Sequence, residues 1–174
     1  MMARRAAALG AALAALVASP ALADVQRSSD TDFAVSGSEA VAISPDEVWQ
    51  RLVRPAEWWS AEHTWSGDAA NLSLDPQAGG CFCETLPGGG SVEHMRVIHA
   101  APGKLLRMVG TLGPLQSETL TGVLSVTVEP SGDGAKLTWT YKVAGKSDIP
   151  LADLAPVVDS VVGSQFRTLT DGTR

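Results

Sequence analysis

Strong catalytic motifs are missing from this chain of 174 residues. It has no G-x-S-x-G, no H-E-x-x-H and no phosphate loop, so the reactions those motifs serve are not written in it. Gly88-Gly89-Gly90 is a hairpin turn rather than a phosphate cradle, because no helix follows it. Cysteine is scarce: Cys81 and Cys83 are the two present, and their C-x-C spacing falls short of the paired motifs that mark a zinc site. Positive charge is short too. Thirteen basic residues face nineteen acidic ones, for a net charge of −6. A chain of that sign does not gather phosphate polyanions by its overall field, and no basic stripe is interleaved with aromatics, so nucleic acid is not an expected partner. No internal repeat is visible. Aromatics are few, with five Trp, three Phe and one Tyr, which makes their positions informative.

The first apolar run is of a particular kind. Met1-Met2-Ala3-Arg4-Arg5 is a basic start, residues 6–18 are apolar without a break, and Ser19-Pro20-Ala21-Leu22-Ala23 follows. The run is shorter than the ~20 residues that span a bilayer. Ala21 and Ala23 fit the small-x-small rule of signal peptidase. Residues 1–23 are therefore expected to be a signal peptide, cleaved before Asp24, and the protein to be periplasmic or secreted. Loss of Arg4 and Arg5 would take the net charge from −6 to −8. No Cys follows the small residues, so no lipid anchor or other stable membrane anchor is expected.

Residues 24–32 are polar and read as a flexible lead. Residues 33–174 are long enough to bury one core. Phe33 to Ile43 reads as a first strand. Ser44-Pro45-Asp46-Glu47 then forms a capping box with Pro in the first helical position. Val48, Trp49, Leu52 and Val53 give that helix its apolar face, and Arg54-Pro55 ends it. A second short helix or turn carries Trp58-Trp59, and Ser60 to Gly67 reads as a loop. From Asn71 to Gly145 the pattern is strand-like. Leu120, Leu124, Val126 and Val128 share a face with Gly122; Leu137, Trp139, Tyr141 and Val143 alternate with Lys136, Thr138, Thr140 and Lys142, as in a half-buried antiparallel strand. Leu151 to Leu169 keeps helical spacing, with Pro156 expected to kink it or delay its start. Strand, helix pair, antiparallel strands, long helix: the order predicts an α+β fold, one sheet with helices on one face.

The hairpin Gly80–Ala100 is the richest stretch. With Pro87–Gly90 as its tight turn, Glu84 faces Glu93 and Cys83 faces His94. Alternation then puts Cys81, Cys83, His94 and Arg96 on one face and Phe82, Glu84, Leu86, Glu93, Met95 and Val97 on the other. Met95, Val97, Leu106 and Met108 make a continuous apolar patch, so the Phe82–Met95 face is placed inward; a one-residue slip would reverse it. Glu84 and Glu93 become candidates for an acid–base pair or for holding a polar ligand group, set against the plainer reading of two solvated carboxylates. Cys81 and Cys83 admit three readings: free thiols, a disulfide, or metal ligands with His94. Trp49, Trp58, Trp59 and Trp65 cluster within 17 residues; Trp58 and Trp59 point apart, so one is expected to line a mouth, with His63 in the same loop.

SPDEVWQRLVRPAEWW, then GGCFCE, then APGKLLRMVG, then the closing helix, resemble in order and spacing the START and birch-pollen-allergen-like (SRPBCC) superfamily. The likeness covers about residues 36–170 and is greatest to the branch named for activators of the heat-shock-protein ATPase. It implies a helix-grip: a curved antiparallel sheet wrapped around the C-terminal helix, with a cavity between them. It names no reaction and no cofactor. The branch's chaperone partner is cytoplasmic, so export would remove it. The expected function is binding of a small apolar or amphipathic, lipid-like ligand. Trp58, Trp59, His63, Phe82, Glu84, Glu93, Met95, Val97, Met108, Trp139, Tyr141, Val158 and Val162 are the candidate contacts, and no catalytic or metal residue is assigned. Two alternatives stand beside it: a cyclase- or hydrolase-type enzyme using Glu84 or Glu93, with His63 as a further acid or base, and a protein-binding module using an exposed Trp at Trp58-Trp59.

Overall fold

Alternation along the strands dictates one sheet with a single buried face. The computed structural model describes residues 24–171; the expected signal peptide lies outside the described residues. The strands are β1 (Asp24–Ser28), β2 (Asp32–Val41), β3 (Leu72–Leu74), β4 (Cys81–Thr85), β5 (Ser91–Ala101), β6 (Leu105–Val109), β7 (Thr119–Ser131) and β8 (Gly134–Lys146). They form an eight-stranded antiparallel sheet in the order β1-β2-β8-β7-β6-β5-β4-β3. Helix α1 (Pro45–Leu52) follows β2, and α2 (Leu151–Thr170) closes the chain. This is the α+β helix-grip. No helix among the described residues is long and apolar enough to cross a membrane.

Local chemistry sets the element ends. Ser44 Oγ accepts the Glu47 N–H at 3.3 Å while a Glu47 carboxylate oxygen accepts the Ser44 N–H at 2.9 Å, which completes the capping box. Val48, Trp49 and Leu52 are buried beneath it. Within the polar lead of the sequence, β1 pairs with β2 through Asp24–Ser28, with Val25 half-buried. An edge strand needs only one apolar contact and tolerates polar residues elsewhere, so low hydrophobicity gave no sign of it. The second short helix or turn is the 3₁₀ turn Pro55–Glu57, which runs into Trp58, and two more 3₁₀ turns follow, Ala61–His63 and Ala69–Asn71. Helix α2 begins at Leu151 despite Pro156; the proline removes one N–H without delaying the start.

Helix α2 is held to the sheet by an aromatic stack. Phe166 lies between Trp139 of β8, at 5.4 Å and 12° between planes, and Trp58, at 5.9 Å and 29°. Gly37 of β2 lies opposite Trp139. A Cβ there would come within 2.8 Å of the indole, so the glycine makes room for the ring. The expected inward faces hold: Leu124, Val126 and Val128 of β7, and Leu137, Trp139, Tyr141 and Val143 of β8, are all buried.

Among the described residues, one buried side-chain polar atom is unpartnered. Asp159 Oδ1 on α2 has no hydrogen-bond partner among them, and burial, with the charge of Asp24, pushes its carboxyl up from the ordinary value. For an acid whose folded value is raised, the ionised form weakens the native state, and the penalty fades as pH falls through the folded value. Asp159→Asn is therefore expected to raise the melting temperature at neutral pH by about 2 °C, with the gain fading in acid. A scan of thermal melts against pH checks both the size and the sign.

Candidate functional site

The hairpin β4–β5 departs from simple alternation. The turn is one residue tighter than expected, so Thr85 faces Ser91, Glu84 faces Val92 and Cys83 faces Glu93. A bulge between Phe82 and Cys83 then restores the expected register, with Phe82 opposite Met95 and Cys81 opposite Arg96. His94 is the extra residue. A bulge turns two successive side chains toward one face, and His94 and Met95 are both buried. The sequence reading had His94 outward with the cysteines and Glu84 opposite Glu93; neither holds. Glu93 is exposed on the outer side and pairs with Arg96.

Cys81 and Cys83 are joined to each other, with their Cα atoms 5.3 Å apart. That is shorter than the ~6.5 Å of an extended i, i+2 pair. The sulfurs are used by one another and the His94 ring by Glu84, so the three do not converge as ligands. Among the described residues no group of three or more His, Cys, Asp or Glu side chains could hold a metal ion.

Glu84 is the polar hub of this end of the sheet. It is 1% exposed. Its carboxylate accepts the N–H of Trp65 at 3.0 Å and that of Ser66, and lies 2.9 Å from His94 Nε2. With the carboxylate ionised, the ring nitrogen is the donor. Burial on its own would raise the Glu84 carboxyl; the hydrogen bonds from Ser66, Trp65 and His94 outweigh it and hold the group below the ordinary carboxylate value. Glu84 thus fastens one end of the loop Ser60–Ser66. Buried Gln165 on α2 fastens the other, its Oε1 accepting the Ser60 N–H at 2.8 Å. Within the loop, Trp59 Nε1 donates to the His63 carbonyl at 3.0 Å.

That loop is one wall of a cavity of about 430 Å³. The other walls are the first half of α2, through Leu154, Val157, Val158, Val161 and Val162, and the segment Leu112–Leu115 between β6 and β7, with Tyr141 from β8 at the lining. The loop contributes Trp59, Glu62, His63, Thr64 and Trp65. The volume is in the ~300–1,000 Å³ range of small-molecule sites, and an apolar lining with few polar groups is their usual composition. Gly122 makes room for Tyr141, since a Cβ there would lie 2.9 Å from its ring and hydroxyl. The Tyr141 hydroxyl accepts the Leu112 N–H at 3.2 Å, and burial pushes its pKa well up.

Of the residues singled out from sequence, Trp59, His63, Tyr141, Val158 and Val162 line this cavity. Trp58 is in the core against Phe166, and Met95, Val97 and Trp139 are core as well. Phe82 and Met108 border a separate crevice with about 20 Å³ of free space, room for one water at most. Glu84 lies behind the loop and Glu93 outside. The middle of the grip is therefore filled by the Phe166 stack, and the open space lies toward the start of α2. Sequence reasoning missed Glu62, Thr64, Trp65, Leu112–Leu115, Leu154, Val157 and Val161 as lining. The 3₁₀ segment Gly113–Ser117 has no period to read, but Leu154, Val158 and Val161 stood in the visible apolar stripe of the last helix.

The family described as polyketide cyclase / dehydrase and lipid transport matches residues 32–173. The chain belongs to that family. Three solved structures show the same fold. A putative uncharacterized protein from Rhizobium leguminosarum superposes with a TM-score of 0.57 at 15% identity, over 86% of this chain and 95% of that one. A protein from Mesorhizobium loti does so with a TM-score of 0.55 at 19% identity, over 79% and 93%. The di-domain ARO/CYC StfQ from the steffimycin biosynthetic pathway gives 0.53 at 14% identity, with 81% of this chain covering 50% of that chain. At such identities the likeness is one of fold alone. No curated protein sequence matches the chain.

Proposed function

We propose that this family member is a binding protein for a small apolar or amphipathic molecule, held between the first half of α2 and the loop Trp59–Trp65. The observation that carries the reading is the 430 Å³ cavity beside an otherwise filled interior. Its walls are aliphatic and aromatic, so burial of ligand carbon at ~25 cal/mol per Å² supplies the affinity. Export belongs to the same proposal and rests on the order of basic start, apolar run and Ala-x-Ala in residues 1–23. Outside the cytoplasm the chaperone partner of the resembled branch would be out of reach. Native mass spectrometry of gently purified protein tests binding: a retained small-molecule adduct supports it, and an empty chain that takes up no apolar compound contradicts it. N-terminal sequencing of the exported fraction should begin at Asp24.

The enzyme alternative leaned on Glu84 or Glu93, with His63 as a further acid or base. Glu84 is saturated by backbone and histidine donors, and Glu93 points to solvent beside Arg96. Neither lines the cavity; His63 does, but without the partner acid that reading gave it, so binding is the favoured reading. The interaction-module alternative needed an exposed Trp at Trp58-Trp59. Trp58 is buried and Trp59 half-buried; the exposed indole is that of Trp65.

A further inference from the structure

Among the described residues, the cavity lining carries one carboxylate and no permanent cation. Glu62, His63, Thr64 and Tyr141 are the polar lining, and among the described residues neither Lys nor Arg lines it. The Tyr141 hydroxyl is already engaged by the Leu112 N–H. A ligand carboxylate entering this space would find no guanidinium or ammonium to receive it, and would meet the Glu62 carboxylate instead. The net charge of −6 adds a repulsive background.

Glu62 is also held in place. It sits in the 3₁₀ turn Ala61–His63, whose preceding Ser60 accepts the Glu62 N–H with its side chain. The turn is closed by Thr64 Oγ1 donating to the Ala61 carbonyl at 2.8 Å. Gln165 and Glu84 pin the two ends of the loop to α2 and to the sheet. The segment that carries Glu62 is thus tied at both ends, and its backbone cannot swing off the mouth without breaking bonds to buried groups.

We infer that Glu62 makes the site selective by charge, so that it takes apolar molecules with a neutral or cationic head group and discriminates against carboxylate-headed ones such as fatty acids. This rests on the proposed cavity function and adds the ligand class to it. A charge at a wet rim acts weakly, so the discrimination is several-fold rather than absolute.

Competition against a neutral fluorescent probe, phenylnaphthylamine, tests it with three compounds of equal chain length: decylamine, decanol and decanoate. Near pH 8, decylamine and decanol should displace the probe, and decanoate should need about fivefold more. In Glu62→Gln the ratio of decylamine to decanoate affinity should fall toward unity, while circular dichroism and melting temperature report an intact fold. Decanoate binding as well as decylamine would overturn the inference and leave the cavity reading standing. A ratio unchanged in Glu62→Gln would overturn the role of Glu62. Displacement by none of the three would overturn the cavity reading and this inference with it.

Discussion

Phe166→Ala is expected to destabilise the fold by about 3–5 kcal/mol, a fall in melting temperature of roughly 10 °C or more for a domain of this size. Phe166 is 1% exposed and is stacked between Trp58 and Trp139. Its removal loses both the transfer free energy of the ring and two aromatic contacts worth about 0.5–1.5 kcal/mol each. The stack also ties α2 to Trp58 after α1 and to Trp139 of β8, so the surroundings cannot collapse onto the void without moving the helix. Phe166→Leu keeps most of the volume and should cost about half as much. Urea denaturation of the two variants checks this. A cost below about 1 kcal/mol for the alanine variant would mean that α2 is held by something other than the stack.

Glu84→Ala should be of similar size, about 3–5 kcal/mol, because it leaves the buried His94 ring and two backbone N–H groups without their acceptor. Its effect is local as well as global. The Trp65 and Ser66 amides should lose protection from hydrogen exchange, and the loop wall of the cavity should loosen. Glu84→Gln keeps one oxygen acceptor and should cost less. The carboxyl is held below its ordinary value in the folded protein. Its stabilising contribution is therefore complete above the unfolded value near 4.5 and is lost as pH falls through the folded value. Wild type should lose stability on acidification below that point, and Glu84→Gln should lose less. Parallel slopes for the two proteins would show that Glu84 is not the titrating clasp.

The parts of the fold legible in sequence were those where one rule acts at a time. The alternation of Leu137, Trp139, Tyr141 and Val143 fixed the inward face of β8, and Ser44-Pro45-Asp46-Glu47 fixed the start of α1. The patch of Met95, Val97, Leu106 and Met108 set the hairpin's inner face correctly, although near the turn the register was off by one. The candidate site was less legible because it depends on departures from period. The bulge that turns His94 inward carries no composition cue, and it converts an expected acid pair into a histidine–carboxylate clasp. Glu62 and the segment Leu112–Leu115 lie on 3₁₀ turns, where neither period applies. In a two-layer grip the inner residues of sheet and helix look alike, whether they fill the core or line a cavity. Phe82, Met95, Met108 and Trp139 read like cavity contacts for that reason. Only the place of Phe166 in three dimensions shows that the middle is closed and the space lies toward Leu154, Val158 and Tyr141.

Titration of phenylnaphthylamine into wild type and Val158→Trp is the most direct measurement of ligand binding at this cavity. Val158 lines it from α2, and an indole there would occupy the ligand's space. Saturable one-site binding is expected for wild type, with at least a tenfold loss, about 1.4 kcal/mol, in Val158→Trp at unchanged secondary structure. Equal binding by the two proteins, or none by wild type, would contradict a ligand site between α2 and the Trp59–Trp65 loop.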